Sequence, residues 1–248
     1  RDGAPGVRYV QADQALRADL EREIERTRKF LERKLKDGKI TPSVEAARRL
    51  ADELADLLKK NIGTTVKGYA EASQRVLEAA ARDLGDIGIP VNFTTPSVAS
   101  LRAQVDGTLS DITQIADEAQ AELRTFLVDT VRSGVPPSLD DLLDKVNGKA
   151  AQAVTLVDTG LAGFDRAVMV QQASEAGVDW FLYDGPLDEI TRPFCNARVG
   201  KKFTIAMLDA IENDTGPNPP SLYCGGWNCR HRLTPLLLQE DIDATPTG

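Results

Sequence analysis

Cys195, Cys224, Cys229 and His231 are the only cysteines and the only histidine in this chain of 248 residues, and all four fall within one stretch of 37 residues. Thiolate and imidazole are the side chains that hold zinc in closed tetrahedral sites. Cys229 and His231 stand two apart in "NCRHRLTP", so on a strand they would point to one face. Cys224 and Cys229 bracket "GGWN", and the paired glycines permit a tight turn that brings two sulfurs to one ion. Cys195 would reach the same ion from the preceding loop, "DEITRPFCNARVGKKF". The expected centre is a structural zinc held by Cys195, Cys224, Cys229 and His231, with Arg192, Arg230 and Arg232 close enough to donate to its thiolates. The same residues allow three other readings: a Cys224–Cys229 disulfide, ordinary buried residues, or a nucleophilic Cys195 or Cys229 with His231 as base. The spacing C-x28-C-x4-C-x-H is less specific than paired C-x2-C patterns. The segment is also loop-rich and poor in large apolar residues from Thr191 to Leu222, so a metal could take the place of a missing core.

The elements that must position this cluster are mostly helical. Apolar stripes run through Leu16, Leu20, Ile24, Phe30, Leu31 and Leu35, and through Val44, Ala47, Leu50, Leu54 and Leu57, each opposite a mixed-charge face. The first helix is expected to end at Asp37-Gly38. The second is expected to start near Thr41 or Ser43 and to stop at about Asn61. A third helix then ends near Gly85 to Gly88, and "IPVNFTTPS" is a loop. From Val98 the apolar steps of three and four (Leu101, Val105, Leu109, Ile112, Ile115, Ala119, Leu123, Phe126) predict one long helix with a seam like that of a coiled coil. Gly107 is its weak point, and Gly134, Pro136 and Pro137 end it. Ser138 then caps a short helix, "LDDLLDKVNG".

After Gly148 the pattern changes. One helix leads to a strand in "VDWFLYDGP", a short strand in "GKKFTI", a short helix in "AMLDAIEN", a proline-rich loop, a final strand in "CRHRLTPLLL" and a tail, "DIDATPTG". The expected fold is therefore mainly α: an elongated helical arm or bundle over 1–148, then a small α+β module over 149–248.

Composition narrows the function. The net charge of -8 argues against wrapping of nucleic acid by the whole chain. Locally, Thr191 to Thr234 carries six Arg or Lys against three Asp or Glu, a basic segment suited to nearby DNA or an acidic protein surface, or to no partner at all. No apolar run approaches the roughly 20 residues of a membrane span, and no secretory leader is evident. The start at Arg1 rather than Met predicts a trimmed or processed chain, and three cysteines fit reduced thiols of the cytoplasm. The many carboxylates of the helical part fall at spacings expected of a solvated face, without a catalytic constellation.

The C-terminal series resembles the Mu F-like, head-morphogenesis family of minor head proteins from tailed phages. The matching positions are Trp180, Asp188, Arg192, Cys195, Gly200, Lys201, Asn228, Cys229, Arg230 and His231, after a helix ending in Glu175-Ala176-Gly177. The likeness covers roughly residues 150–236; the helical first part matches only in kind. Many members of that family carry a second Cys shortly after the first and Cys in place of the final His, whereas this chain has Cys224 in the loop instead. The resemblance implies a non-enzymatic minor capsid protein, made in the host cytoplasm and built into the virion, at the portal vertex or the capsid interior. Its implied partners are the portal and other head proteins, and its implied role is to assist head assembly, DNA packaging or ejection; contact with packaged DNA is an expectation from the basic segment Thr191 to Thr234. Self-association through the long helix is a further expectation, drawn from its seam. The rival reading is a thiol-dependent hydrolase or toxin-like enzyme. A zinc module of a host DNA-binding regulator would need a basic recognition helix, which no helix here supplies.

Overall fold

A computed structural model describes residues 5–35, 43–134, 138–214 and 216–248. Helix dominates, and a small sheet lies near the C-terminus, as the sequence predicts. Four long helices come first: α1 (Pro5–Lys34), α2 (Val44–Asp86), α3 (Thr95–Arg132) and α4 (Leu139–Glu175). After them come β1 (Phe181–Asp184), α5 (Pro193–Asn196), β2 (Lys202–Phe203), α6 (Ile205–Asp209), α7 (Pro220–Tyr223), β3 (Arg232–Pro235) and α8 (Gln239–Ala244). None of the described helices is long and apolar enough to cross a membrane.

Two expected helix boundaries are absent. The breaks placed near Asn61 and at Gly148 lie inside α2 and α4, which run through them. A helix can absorb an interior glycine at about 1 kcal/mol when the turns on either side are packed. Asn61 also has a tertiary partner, the Thr27 hydroxyl of α1 at 3.2 Å. The long α3 is continuous through Gly107, as expected. Capping follows the sequence where it is described. The Ser43 hydroxyl accepts from the Ala46 amide at 3.0 Å. Ser138 and Asp141 exchange side-chain and backbone bonds at 3.1 and 3.2 Å, a reciprocal capping box. The stops expected at Asp37-Gly38, Pro136 and Pro137 lie outside the described residues, as does the start expected at Thr41.

By its contacts the chain forms two compact units. One gathers the start of α1, residues 72–106 and residues 158–248; the other gathers 13–71 and 107–157. The second unit is a helical core in which Leu31, Leu54, Leu123, Leu127 and Leu142 pack together. The α3 stripe is used there: Ile112 is 1% exposed and Leu127 is fully buried. The spare apolar seam expected for a second chain is thus largely covered by this chain's own helices.

The first unit holds the sheet, with order β2-β1-β3 and both pairings antiparallel. Phe181 pairs with Phe203 on one side and with Pro235 on the other, and Tyr183 faces Leu233. Alternation along β1 sends Phe181 and Tyr183 inward, against Leu84, Ala173 and Leu208. All three cysteines belong to this same core. The C-terminal segment read as a tail is structured. It forms α8, and Thr247 then bridges Lys202 of β2, with the Gly248 amide donating to the Lys202 carbonyl at 3.1 Å.

Candidate metal centre

Cys195 sits on α5, a single turn that Pro193 opens with its preset φ. The Cys195 carbonyl accepts from the amides of Arg198 (2.9 Å) and Val199 (3.0 Å), which fixes the turn. Cys224 caps α7 at a positive φ of 48°, and Asn228 also has positive φ, 53°. The loop between them carries Gly225 and Gly226. A Cβ on Gly225 would lie 2.2 Å from the Cys195 sulfur, so only glycine lets this loop close on the thiols. Cys229 and His231 lie in the segment just before β3, not on the strand as expected, yet their side chains still meet.

The Cys195 and Cys229 sulfurs are 3.6 Å apart, and His231 Nδ1 is 3.5 Å from the Cys229 sulfur. Cys195, Cys229 and His231 are all buried, and their potential ligand atoms lie within 4.8 Å of one another. Cys224 is beside this group, in a hydrogen bond with Cys229, but does not join the mutual set of three. Of the four residues read from the sequence, the structure thus brings three together and leaves Cys224 at the edge. No disulfide forms; all three cysteines are free.

The electrostatics centre on Cys229. Hydrogen bonds from Cys195 and then Cys224 hold its thiol well below the usual range, against the effect of burial. The Gly225 amide donates to the same sulfur at 3.2 Å. In return Cys195 is pushed up, first by that bond to Cys229 and then by burial. Burial, then the bond to Cys229, pushes Cys224 up. Cys195 and Cys224 thus both bond to the Cys229 sulfur. Tyr183, buried beneath the cluster, donates its hydroxyl to the Cys195 sulfur at 3.3 Å, and burial drives its own ionisation far up.

The donor set fits a soft divalent ion. Nε2 of His231 is 3.0 Å from the Pro186 carbonyl oxygen. A carbonyl only accepts, so Nε2 carries the hydrogen and Nδ1 presents its lone pair toward Cys229. Metal-binding imidazoles are commonly oriented by such a bond. Gly185, at φ +150°, makes room for the ring: a Cβ there would lie 2.6 Å from His231 Cδ2.

The surrounding side chains hold backbone carbonyls. Arg192 donates to the Gly225 and Trp227 carbonyls at 3.2 and 2.5 Å. Asn213 donates to the Cys224 carbonyl at 3.0 Å. The Thr159 hydroxyl accepts from the Asn228 amide at 3.0 Å. Arg230 pairs with Asp188 at 2.7 Å; this guanidinium, then the Thr191 hydroxyl, draws the Asp188 carboxyl down to about 2. Arg232 pairs with Asp184 at 3.1 Å, Arg198 lies over Phe194, and Lys202 lies over Trp180. Of the six basic residues in this segment, five therefore have partners within the module. Two contributors escaped the sequence reading, Tyr183 and Arg166 of α4. Neither belongs to a motif; both reach the cluster only through tertiary packing.

Compared with known proteins, the chain matches no family model, no curated protein and no solved structure.

Proposed function

We propose that this chain is a non-enzymatic minor capsid protein of a tailed phage, whose C-terminal module is fastened by a structural zinc on Cys195, Cys229 and His231. The observation that carries the reading is the convergence of those three buried side chains inside the residue series that resembles the phage head family. A bound ion would supply a cross-link between α5 and the segment leading into β3. The chain's own residues do the rest: Gly225 and Gly185 open the space, and the Pro186 carbonyl orients the imidazole.

The thiol-hydrolase alternative needs a sulfur that meets substrate. Here Cys195, Cys224 and Cys229 are 1%, 0% and 6% exposed, which suits a structural role better. With the α3 stripe largely covered, the portal and other head proteins would be met through polar and charged surface rather than an apolar seam. Most basic side chains of the module are already paired, which speaks against packaged DNA as its main partner.

The test is localisation. Purified virions should contain the chain in few copies, and electron microscopy with the labelled chain should place it at the portal vertex or inside the head. Absence from purified particles would defeat the reading.

A further inference from the structure

The segment that carries Cys224, Cys229 and His231 is held by turn bonds, the Gly226 amide donating to the Tyr223 carbonyl at 2.9 Å and the Cys229 amide to the Gly226 carbonyl at 3.2 Å, and by side chains from outside it. It runs without regular structure from the end of α7 to the start of β3, and two of its non-glycine residues, Cys224 and Asn228, have positive φ. Such conformations cost about 1–3 kcal/mol each and persist only where the surroundings over-determine them. One side chain from another element spans the whole segment. Arg166 of α4 is 4% exposed. Its Nε donates to the His231 carbonyl at 2.8 Å, and its Nη2 to the Cys229 carbonyl at 2.6 Å. Its Nη1 donates to the Leu222 carbonyl at 2.8 Å, at the end of the turn that leads to Cys224.

A guanidinium is planar, and its donors point in fixed directions. Three carbonyls held by one such fork have their relative positions set by it. Two of the three belong to residues whose side chains meet at the candidate metal centre. Between them, the Gly225 amide donates to the Cys229 sulfur at 3.2 Å.

We infer that Arg166 is a positioning residue of the metal centre: its fork fixes the two ends of the loop from Leu222 to His231, whose middle Arg192, Asn213 and Thr159 hold, so that Cys229 and His231 converge on Cys195. This rests on the zinc reading given above. Arg166 touches no ligand atom in this account; it acts through the backbone of the residues that do. A second consequence is that α4 and the metal module are mechanically joined at this residue.

The experiment uses the full chain and its Arg166→Met, Arg166→Gln and Arg166→Lys variants. Zinc affinity is measured by competition with a chromophoric chelator, the ligand field by the absorption spectrum with cobalt(II), and helix content by circular dichroism. Losing an outer partner of this kind typically weakens metal binding by about 10- to 100-fold. Arg166→Met and Arg166→Gln should fall in that range with altered cobalt bands and unchanged helix content. Arg166→Lys, which keeps the charge and loses the fork, should recover only part of the affinity. A merely structural role would lower stability and leave the cobalt bands of the folded fraction as in the unmodified chain. If one variant fails to fold, the same readouts on the other two decide. Wild-type affinity and spectrum in the folded variants would overturn the role of Arg166 alone. A parent chain that binds neither zinc nor cobalt would overturn the metal reading, and this inference with it.

Discussion

The imidazole Nε2 of His231 stands 3.0 Å from the carbonyl oxygen of Pro186. That contact puts the hydrogen of a neutral ring on Nε2 and turns Nδ1 to the Cys229 sulfur, 3.5 Å away. A buried histidine held in this tautomer next to two thiols is arranged as a ligand rather than as a base, because a base needs access to a proton on a substrate. Purified chain should therefore contain about one zinc per molecule, measured by inductively coupled plasma mass spectrometry. Cys195→Ser, Cys229→Ser and His231→Asn should each lose most of it. Cys224→Ser should retain it with weaker binding, since Cys224 lies outside the group of three. Equal loss in Cys224→Ser would restore the four-ligand set expected from sequence.

Gly225 tests the packing of the same site from the backbone side. A methyl group there would have its carbon 2.2 Å from the Cys195 sulfur, a distance no real contact tolerates. Gly225→Ala should displace Cys195 and reduce zinc content as strongly as removing the thiol. Gly63→Ala is the control, because nothing lies within 4 Å of its position on α2. That change should stabilise the chain by up to about 1 kcal/mol. Metal content and thermal melting of the two variants separate the cases; full zinc in Gly225→Ala would contradict the arrangement of this loop.

These contrasts also mark what the sequence made legible. The helices of the first two-thirds were readable because their apolar residues repeat with the helical period. Their continuity was not, because Gly63 and Gly148 look like stops, and Asn61 has its partner in Thr27, 34 positions away. Confinement of rare residues pointed to Cys195, Cys229 and His231. The strand parity argument for Cys229 and His231 misplaced them, since β3 begins only at Arg232. Cys224 could not be told from a ligand by spacing. Its side-chain direction depends on a positive φ that the glycines after it did not foretell. Arg166 is one arginine on a long helix, and its role depends on which loop folds against that helix.

Asp165 offers a test by pH. It shares a cleft of about 230 Å³ with Asp83, Arg166, Met169 and Arg232. Burial pushes its carboxyl up to about 6 from 3.8, with Arg166 opposing and Asp83 adding to the shift. The folded chain then holds this proton more tightly than the unfolded chain does. Stability is fully present below pH 3.8, falls as pH rises from 3.8 to 6, and stays lowered above that. Asp165 keeps part of its surface, so water in the cleft screens some of the penalty. Asp165→Asn should raise stability by about 1–2 kcal/mol at neutral pH and leave it nearly unchanged near the lower end of the window. Urea unfolding at the two pH values measures this; an equal effect at both would rule out a buried carboxyl.

The α3 stripe decides between core and assembly surface. Ile112 is 1% exposed, and further along the same helix Leu123 and Leu127 pack against Leu31, Leu54 and Leu142. Val98, near the start of α3, is 49% exposed. If the stripe is core, truncation should cost according to burial. Ile112→Ala should destabilise by about 2–5 kcal/mol, through lost transfer energy and the cavity left behind. Val98→Ala should stay within about 0.5 kcal/mol. Ile112→Asp would place an unpaired charge in that interior, at a cost of several kcal/mol. Total stabilities of single domains are about 5–15 kcal/mol, so the helical unit should then unfold or melt far below the parent. Circular dichroism on heating measures all three. The opposite pattern, a folded Ile112→Asp chain that fails to enter virions, would show that this face is open in the free protein and covered only on assembly. Burial at Ile112 predicts unfolding, because the covering side chains belong to the same chain and are in place before any partner arrives.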